Sequence, residues 1–271
     1  MIPAIKKAKG FTLVELVSVI VLLGLLSAGA TIFIGDSVRI YNDSTRRAEL
    51  TQQGRFAVER VSRELRNALP GSIRVKDECI EFAPIAAASS YLNFVADGHY
   101  AQLQAAGFTY TLGSNQRVAV HSIENKDVYQ YNRKAVVDLG SVAGADTDLQ
   151  RQVNFTNFTP PGHKFRSESN SKRFYIINEP VSFCVRNNEL VRHDGYGWLQ
   201  NQATDVATLG ADFPLAVDIQ LGDSGAVTPF TYTLGVLARS AVVHIDFRFS
   251  NAQANNEWVR FSHEVFVRNV P

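Results

Sequence analysis

The longest pattern in the chain is an apolar stretch near its N-terminus, followed by a segment that is apolar on one face only. Residues 11–34 carry a single charged side chain, Glu15, and about 20 apolar residues are enough to cross the core of a bilayer. Beyond this stretch, helical spacing continues through a stripe formed by Leu50, Gly54, Ala57, Val58, Val61, Leu65 and Ala68. Pro70-Gly71 predicts the end of the helix. We therefore expect one helix over residues 11–69, in which lipid or partner helices cover 11–34 and 35–69 are amphipathic.

After Pro70 the apolar residues alternate with polar ones, which is the period of β-strands. The predicted strands are Ile73–Val75, Cys79–Phe82, Tyr91–Val95, Phe108–Leu112, Arg117–Ser122, Val128–Tyr131, Ala135–Leu139, Gln152–Thr156, Arg173–Ile177, Val181–Val185, Leu190–His193, Ala216–Leu221, Thr231–Leu237, Ala241–Phe249 and Val259–Val267. Asn187-Asn188 predicts a hairpin turn, and Ser141–Asp148 and Pro160–Ser171 predict loops. The fold class is α+β, with the long N-terminal helix packed on antiparallel β-sheet of a β-rich domain over residues 70–271.

The register of the last two strands can be predicted from their alternation. Odd-numbered residues are apolar in 243–249 and face inward in 259–265, so odd residues should pair with odd ones. A slip of one residue would turn every side chain to the opposite face. This register places His244 opposite Ser262 or Glu264 and His263 on the other face, which disfavours a zinc site made by the two histidines.

A basic leader precedes the apolar stretch, with Lys6, Lys7 and Lys9 followed by Gly10 and the run Phe-Thr-Leu-Val-Glu-Leu. The positive-inside rule places this leader in the cytoplasm and the bulk of the chain outside. A carboxylate at the depth of Glu15 costs roughly 2.5–3.5 kcal/mol on insertion scales, so it should have a cationic partner. The nearest candidate is the amine that cleavage after Gly10 would create on a neighbouring subunit.

The leader charge, Gly10, Phe11 and Glu15 stand in the register of the class III signal of type IV pilins and type II secretion pseudopilins, which this segment resembles. The resemblance implies that a membrane peptidase cuts between Gly10 and Phe11, removing residues 1–10, and methylates Phe11. It also implies that Glu15 neutralises the N-terminal amine of an adjacent subunit during assembly.

A later part of the chain resembles one branch of this family. The helix segment Arg55–Pro70, the run Pro180–Val185 and the turn Gly195–Trp198 are similar to MshO-type minor pilins of the mannose-sensitive haemagglutinin (MSHA) pilus. J-type pseudopilins of type II secretion share these features, and a pilus-borne adhesin is a further alternative. The resemblance implies a non-enzymatic subunit of the bacterial inner membrane, with a periplasmic C-terminal domain, that later enters a pilus. Its implied partners are major and minor pilins, the prepilin peptidase and the inner-membrane assembly machinery.

Two simpler interpretations of the N-terminus compete with this one. Ala28-Gly29-Ala30 fits the cleavage rule of an ordinary secretory signal, which would release a soluble periplasmic protein. Glu15 inside the apolar region, and an apolar run that continues past Ala30, speak against it. A plain membrane anchor is compatible with the segment, because the same helix can anchor first and polymerise later.

Composition argues against nucleic-acid binding and predicts a disulfide. The 271 residues carry a formal net charge of +1, and we expect no nucleic-acid binding because the chain has no concentrated basic face. Cys79 and Cys184 are the only cysteines, and in an exported domain they predict a disulfide. The bond would close a loop of roughly 100 residues, worth up to about 4.7 kcal/mol in the chain-entropy model. Two free buried thiols are the alternative.

Three further groups of residues could carry chemistry. Gly222-Asp223-Ser224-Gly225 matches the nucleophile motif of chymotrypsin-like proteases, but no histidine lies in that family's surrounding motif, so a turn is expected. Asp138, Asp146 and Asp148 could offer oxygens to calcium, although their spacing matches no EF-hand and a solvated loop is the simpler interpretation. Trp198 could pack beneath a loop, contact a subunit or stack on a sugar. We predict no enzyme activity, no metal and no cofactor.

Overall fold

The computed structural model describes residues 10–94, 98–210, 213–221, 228–235, 240–250 and 258–267. The basic leader and the Gly-Asp-Ser-Gly run at 222–225 lie outside the described residues. Parts of the predicted strands Tyr91–Val95 and Thr231–Leu237 also lie outside them. The chain divides into two compact units between Glu49 and Leu50.

One helix, α1, runs from Leu13 to Arg66 and belongs to both units. An 18-residue window of it has a mean hydropathy of 2.5 with none of its residues buried, and the helix is long and apolar enough to cross a membrane. In the second unit α1 buries the stripe Leu50, Gly54, Ala57, Val61 and Leu65. The helix therefore changes from apolar all round to apolar on one face, and it ends three residues before the predicted Leu69.

The strands of the second unit are antiparallel throughout the described pairings and form three sheets. They are β1 Arg74–Lys76, β2 Cys79–Phe82, β3 Ile85–Ser90, β4 Gln102–Ala106, β5 Arg117–Val120, β6 Val136–Ala143, β7 Gln150–Thr156, β8 Arg173–Ile177, β9 Val181–Arg186, β10 Glu189–His193, β11 Phe213–Ala216, β12 Phe230–Thr233, β13 Ala241–Ser250 and β14 Trp258–Val267. The sheets have the orders β1-β2-β9-β10-β11, β12-β13-β14 and β3-β8-β5-β6-β7-β4. Short helices α2 and α3 cover Asn125–Tyr129 and Val206–Leu209, and a 3-10 turn covers Tyr131–Arg133. The α+β prediction is confirmed.

The six-stranded sheet is an insertion into the five-stranded one. It is built from residues 85–177, here called the inserted lobe, which lie in the chain between β2 and β9. These two strands are nevertheless neighbours, with Cys79 directly opposite Cys184. The inserted lobe has its own apolar core, which includes Leu103, Val118 and Phe174. A second core joins the stripe of α1 to the five-stranded and three-stranded sheets.

Both predicted hairpins have the expected pairing. Asn187 and Asn188 link β9 to β10, and both have a positive φ, as a two-residue turn of the I′ type requires. In the last hairpin Val243 pairs with Val265, and His244 pairs with Glu264. The odd-with-odd register is therefore confirmed, and His244 and His263 lie on opposite faces of the sheet.

Several predicted strands are wrong. The predicted strand Val128–Tyr131 instead covers the end of α2, its cap Gln130 and the first residue of the 3-10 turn. The Asp127 carboxylate starts α2 by accepting the backbone N–H groups of Ile123 (3.1 Å) and Glu124 (3.2 Å). Phe108–Leu112 is not a strand, although the ring of Phe108 contacts Phe174 at 5.8 Å between centroids. Strand β6 extends into the predicted loop Ser141–Asp148 as far as Ala143.

Two other segments also differ from the prediction. Tyr91 forms only an isolated bridge, to Ala105, where a strand was expected. The segment predicted as strand Ala216–Leu221 is shifted, because β11 ends at Ala216 and Ile219 bridges to Phe249. Tyr91 and Ile219 each pair through a single residue, which is too short to be visible as alternation.

Candidate processing and assembly site

The first turn of α1 is held by a threonine cap. The backbone N–H of Glu15 donates to the Thr12 hydroxyl oxygen at 3.3 Å, and the N–H of Leu16 donates to the Thr12 carbonyl at 3.2 Å. Thr12 is therefore the N-cap residue and Glu15 the third residue of the helix. Because the cap lies at Thr12, the Gly10–Phe11 peptide bond precedes the helix.

The predicted cleavage bond lies in accessible backbone. Gly10 and Phe11 have no helical structure, and both are exposed, Phe11 by 71%. Exposed non-helical backbone is where proteases act most readily. The structure is therefore compatible with cleavage between Gly10 and Phe11, which stays a prediction together with the methylation of Phe11.

Glu15 stands in the first turn of α1 and is the only charged residue of the apolar segment 11–34. Its neighbours Leu13 and Val14 are 78% and 75% exposed in the single chain, so lipid or another subunit must cover this part of the helix. A carboxylate in a first helical turn is favoured by the helix dipole, by about 0.3–1 kcal/mol at exposed sites. That gain is smaller than the cost of burying the charge in lipid, so the expectation of a cationic partner stays a prediction.

The cap itself was not among the predicted site residues. Thr12 and Glu15 stand three residues apart in the pattern Ser/Thr-x-x-Glu/Gln just before an apolar run, which is the signature of a capping box. This signal was present in the sequence and could have identified Thr12. It also gives Glu15 a possible local role that is separate from pairing with another subunit.

The two cysteines are joined in the structure. Cys79 on β2 and Cys184 on β9 form a disulfide, and their exposures are 2% and 0%. The bond spans 105 residues of sequence, and this loop contains the whole inserted lobe. The disulfide therefore joins β2 and β9. The chain leaves the five-stranded sheet for the inserted lobe after β2 and returns to it at β9.

The three aspartates considered for calcium serve separate contacts. Asp138 pairs with Arg117 at 3.1 Å, Asp146 pairs with Arg151, and Asp148 accepts the backbone N–H of Ala145 at 2.7 Å. Within the part of the chain that the structure describes, there is no group of three or more His, Cys, Asp or Glu residues that could hold a metal ion.

Trp198 packs into the protein. Its indole N–H donates to the carbonyl of Asn115 at 2.8 Å, and the guanidinium of Arg117 lies 4.2 Å from its ring centroid. The ring centroid of Tyr129 is 6.1 Å away. These contacts, with the half-buried position of the ring, support the packing interpretation.

A buried ion pair between Arg74 and Glu81 lies beside the rings of Tyr129 and Tyr196. Arg74 donates to both carboxylate oxygens of Glu81, at 3.2 and 2.8 Å, and its guanidinium lies 3.6 Å from the ring centroid of Tyr129. Burial raises the pKa of Glu81 despite the pairing with Arg74, and burial also raises the pKa of Tyr129 and of Tyr196. Because Arg74 also donates to the carbonyl of Leu199 at 2.9 Å, the cluster ties β1 and β2 to the 195–200 loop and is structural.

Comparison with known proteins supports the interpretation of the N-terminus. The pattern of the prokaryotic N-terminal methylation motif matches residues 5–31, which include Gly10, Phe11 and Glu15. No curated protein and no solved structure matches the chain. The motif supports a type IV pilin-like protein of the kind that is processed from a prepilin and assembles with other pilins. Proteins with this motif are structural rather than enzymatic, and the apolar helix fits anchoring in a membrane.

Proposed function

We propose that this chain is a minor pilin of an MSHA-like type IV pilus, which is anchored in the inner membrane and then helps to initiate or build the fibre. The observation that carries the proposal is the methylation motif over residues 5–31, placed at the start of a 54-residue helix whose first half is apolar all round. The Arg55–Pro70 segment supports the minor-pilin branch by its resemblance. The domain of residues 70–271 then faces the periplasm and, later, the outside of the fibre.

The proposed mechanism of assembly begins with cleavage between Gly10 and Phe11, which leaves an amine two residues before the start of α1. In a bundle of such helices, the amine of one subunit pairs with Glu15 of its neighbour. The two charges neutralise each other in an apolar environment, where each alone would carry a large free-energy cost. Residues 11–34 form the fibre core, and the sheets of the second unit select the neighbouring subunits.

A J-type pseudopilin of a type II secretion system uses the same helix and the same cleavage. The methylation motif is common to both classes and does not separate them. The genes that flank this one discriminate between the two, because a pilus operon and a secretion operon encode different partners.

The charge-pairing proposal is tested by replacing Glu15 with Gln and with Ala in cells that assemble the fibre. Gln can still act in a capping box but carries no charge, whereas Ala lacks both properties. We expect cleavage of the leader to remain intact in both variants and incorporation into sheared fibres to fall by at least about tenfold, since a charge-assisted pair contributes about 1.5–3 kcal/mol. Quantitative immunoblots of the fibre and membrane fractions measure the ratio.

The matched control is Glu59→Gln, which removes an exposed carboxylate from the same helix within the second unit. It should leave incorporation unchanged. Wild-type incorporation of Glu15→Gln, with a loss only in Glu15→Ala, would assign Glu15 to capping and reject the charge pair. Normal incorporation of both variants would reject any role of Glu15 in assembly.

A further inference from the structure

A groove of about 450 Å³ lies between α1 and β14, inside the second unit of the chain. It is lined by six residues of α1 between Arg55 and Arg66 and by Phe261 and His263 of β14, and we call it the edge groove. Its length along α1 is about 16 Å, which is the length of roughly five residues of an extended strand. No residue of the segment 11–34 lines it.

The charged groups that line the edge groove leave a positive surplus. Arg55, Arg63 and Arg66 are exposed, and in the described part of the chain no ion pair or hydrogen bond engages their guanidinium groups. Glu59 is the one carboxylate of the lining, and it forms no ion pair with a described residue. Three guanidinium groups against one carboxylate leave a surplus of two positive charges. Charge complementarity therefore favours an acidic partner in this groove.

A buried hydroxyl in the wall of the edge groove lacks a hydrogen bond. Ser62 is 3% exposed and lines the groove, and its Oγ has no hydrogen-bond partner among the described residues. Most buried polar groups in native proteins have a partner, and leaving one without a partner costs free energy. A serine hydroxyl can donate to a carboxylate oxygen. An acidic side chain in the groove would therefore supply the missing partner.

The other wall of the edge groove belongs to a strand with an unpaired edge. β14 has ten residues and no proline, and in the sheet as far as the structure describes it, β13 is its only neighbour. One row of its backbone N–H and C=O groups is thus available to a further strand. Strands in globular proteins average five to six residues, and a long exposed edge is a template for an added strand.

We propose that the edge groove binds an extended acidic segment of another protein, which adds to β14 as a fourth strand of the three-stranded sheet. Every second side chain of such a strand points toward α1, where its carboxylates meet Arg55, Arg63 and Arg66 and accept the hydroxyl of Ser62. The remaining side chains lie on the opposite face of the sheet. There the added strand lies beside β14, whose Trp258 and Phe266 are 54% and 63% exposed on that face, so apolar side chains suit these positions.

A second copy of this chain is a poorer occupant of the edge groove. If β14 of the second copy were added edge to edge, its odd-numbered residues would face the groove, since odd residues of β14 face α1. These residues are Val259, Phe261, His263, Val265 and Val267, and none of them carries a carboxylate. The arginines would then stay without a partner.

The test measures binding of labelled peptides to the full chain in a non-ionic detergent at pH 7, by fluorescence anisotropy. The probe is a capped heptapeptide of alternating glutamate and valine. One matched peptide has lysine in place of each glutamate. A second has proline in place of the central valine, which keeps every carboxylate but interrupts strand pairing. We expect saturable binding of the probe and at least about tenfold weaker binding of both matched peptides.

Three variants locate the site. Arg55→Gln combined with Arg63→Gln should weaken binding of the probe about tenfold. Ser62→Ala should weaken it about threefold to tenfold without destabilising the free protein, because the free protein loses only a hydroxyl that has no partner. Arg173→Gln, which removes an exposed arginine of β8 in the inserted lobe, is the control and should leave binding unchanged. Thermal unfolding of each variant checks that the fold is retained.

Five outcomes would overturn the proposal. Three concern the peptides and the oligomeric state: no saturable binding of the probe, equal binding of either matched peptide, and a dimer in sedimentation velocity that excess probe does not dissociate, which would assign the edge to a second copy. The other two are wild-type affinity of the folded double-arginine variant and wild-type affinity of folded Ser62→Ala. None of these outcomes bears on the Glu15 experiment, because the edge groove and the first turn of α1 share no residue.

Discussion

In the first turn of α1, Thr12 caps the helix, and Glu15 carries the only charge of residues 11–34. Glu15 was identified because a lone carboxylate in an apolar stretch violates the expected pattern, and such violations point to function. Thr12 was missed because a threonine among apolar residues violates nothing. Its capping-box spacing to Glu15 was the available signal, and the hydrogen bond that its hydroxyl accepts from the N–H of Glu15 shows the role.

Another ion pair, in the last hairpin, permits a pH prediction. Arg260 donates to both carboxylate oxygens of Asp246, at 2.9 and 2.5 Å, and these bonds lower the pKa of Asp246 below its ordinary value of 3.8. A lowered pKa means that the pair stabilises the fold above pH 3.8 and that this contribution is lost as the pH falls through the folded-state value. Arg260 is half exposed, so the contribution is small.

We therefore expect Asp246→Asn to reduce the free energy of unfolding slightly at pH 7, and to differ from the wild type progressively less as the pH falls below 3.8. Urea unfolding of the full chain in detergent at pH 7 and pH 3 measures the difference. If the difference in the free energy of unfolding between Asp246→Asn and the wild type grows as the pH falls, the predicted direction of the pH dependence is wrong.

Among the elements, the long helix and the later strands were predictable because their patterns are long. The helix and the ten-residue strands β13 and β14 were all located from periodicity to within a few residues. Strands β3 and β4 were missed, since Ile85–Ser90 and Gln102–Ala106 are rich in Ala, Ser and Gln and show no apolar alternation. Their pairing partners, β8 and β7, determine that they are strands.

The contact between α1 and β14 predicts that replacing a glycine of the helix by alanine destabilises the protein, which is the opposite of the usual effect. Alanine is a better helix former than glycine by about 0.8–1.0 kcal/mol, yet a Cβ at Gly54 would lie 2.0 Å from the ring of Phe261. We expect Gly54→Ala to lower the free energy of unfolding by about 1–3 kcal/mol, because the ring must move from its packed position. Urea unfolding measures the change.

Two further variants complete this experiment. Gly35→Ala is the matched control, since an added Cβ there meets no atom within 4 Å and should not destabilise the protein. In a Phe261→Ala background, Gly54→Ala should no longer be destabilising, because the two side chains then no longer collide. If Gly54→Ala is more stable than the wild type, the close packing of α1 on β14 is refuted.

At the scale of the whole molecule, the insertion of one sheet into another was not predictable. Periodicity gives the strands but not their partners, and β2 and β9 pair although the whole inserted lobe lies between them in the chain. Cys79 and Cys184 were a partial clue, because a disulfide requires two strands to be close. No comparable feature of the sequence indicates the order of the strands in the six-stranded sheet.

The disulfide should stabilise the whole second unit, because it restricts the unfolded chain across the inserted lobe. We expect Cys79→Ala combined with Cys184→Ala to lower the free energy of unfolding by about 2–5 kcal/mol. Denaturant unfolding of oxidised wild type and double variant measures the loss. Alkylation of both cysteines of the denatured wild-type protein without a reductant would contradict the disulfide itself.

The central claim, that this chain is a processed pilin subunit, is tested most directly by mass spectrometry of its N-terminus after isolation from the native membrane or fibre. The account predicts a polypeptide that begins at Phe11 and carries a methyl group on its α-amine. A mature chain that begins at Thr31, as an ordinary secretory signal would leave, or one that retains Met1 in the assembled fibre, would contradict it.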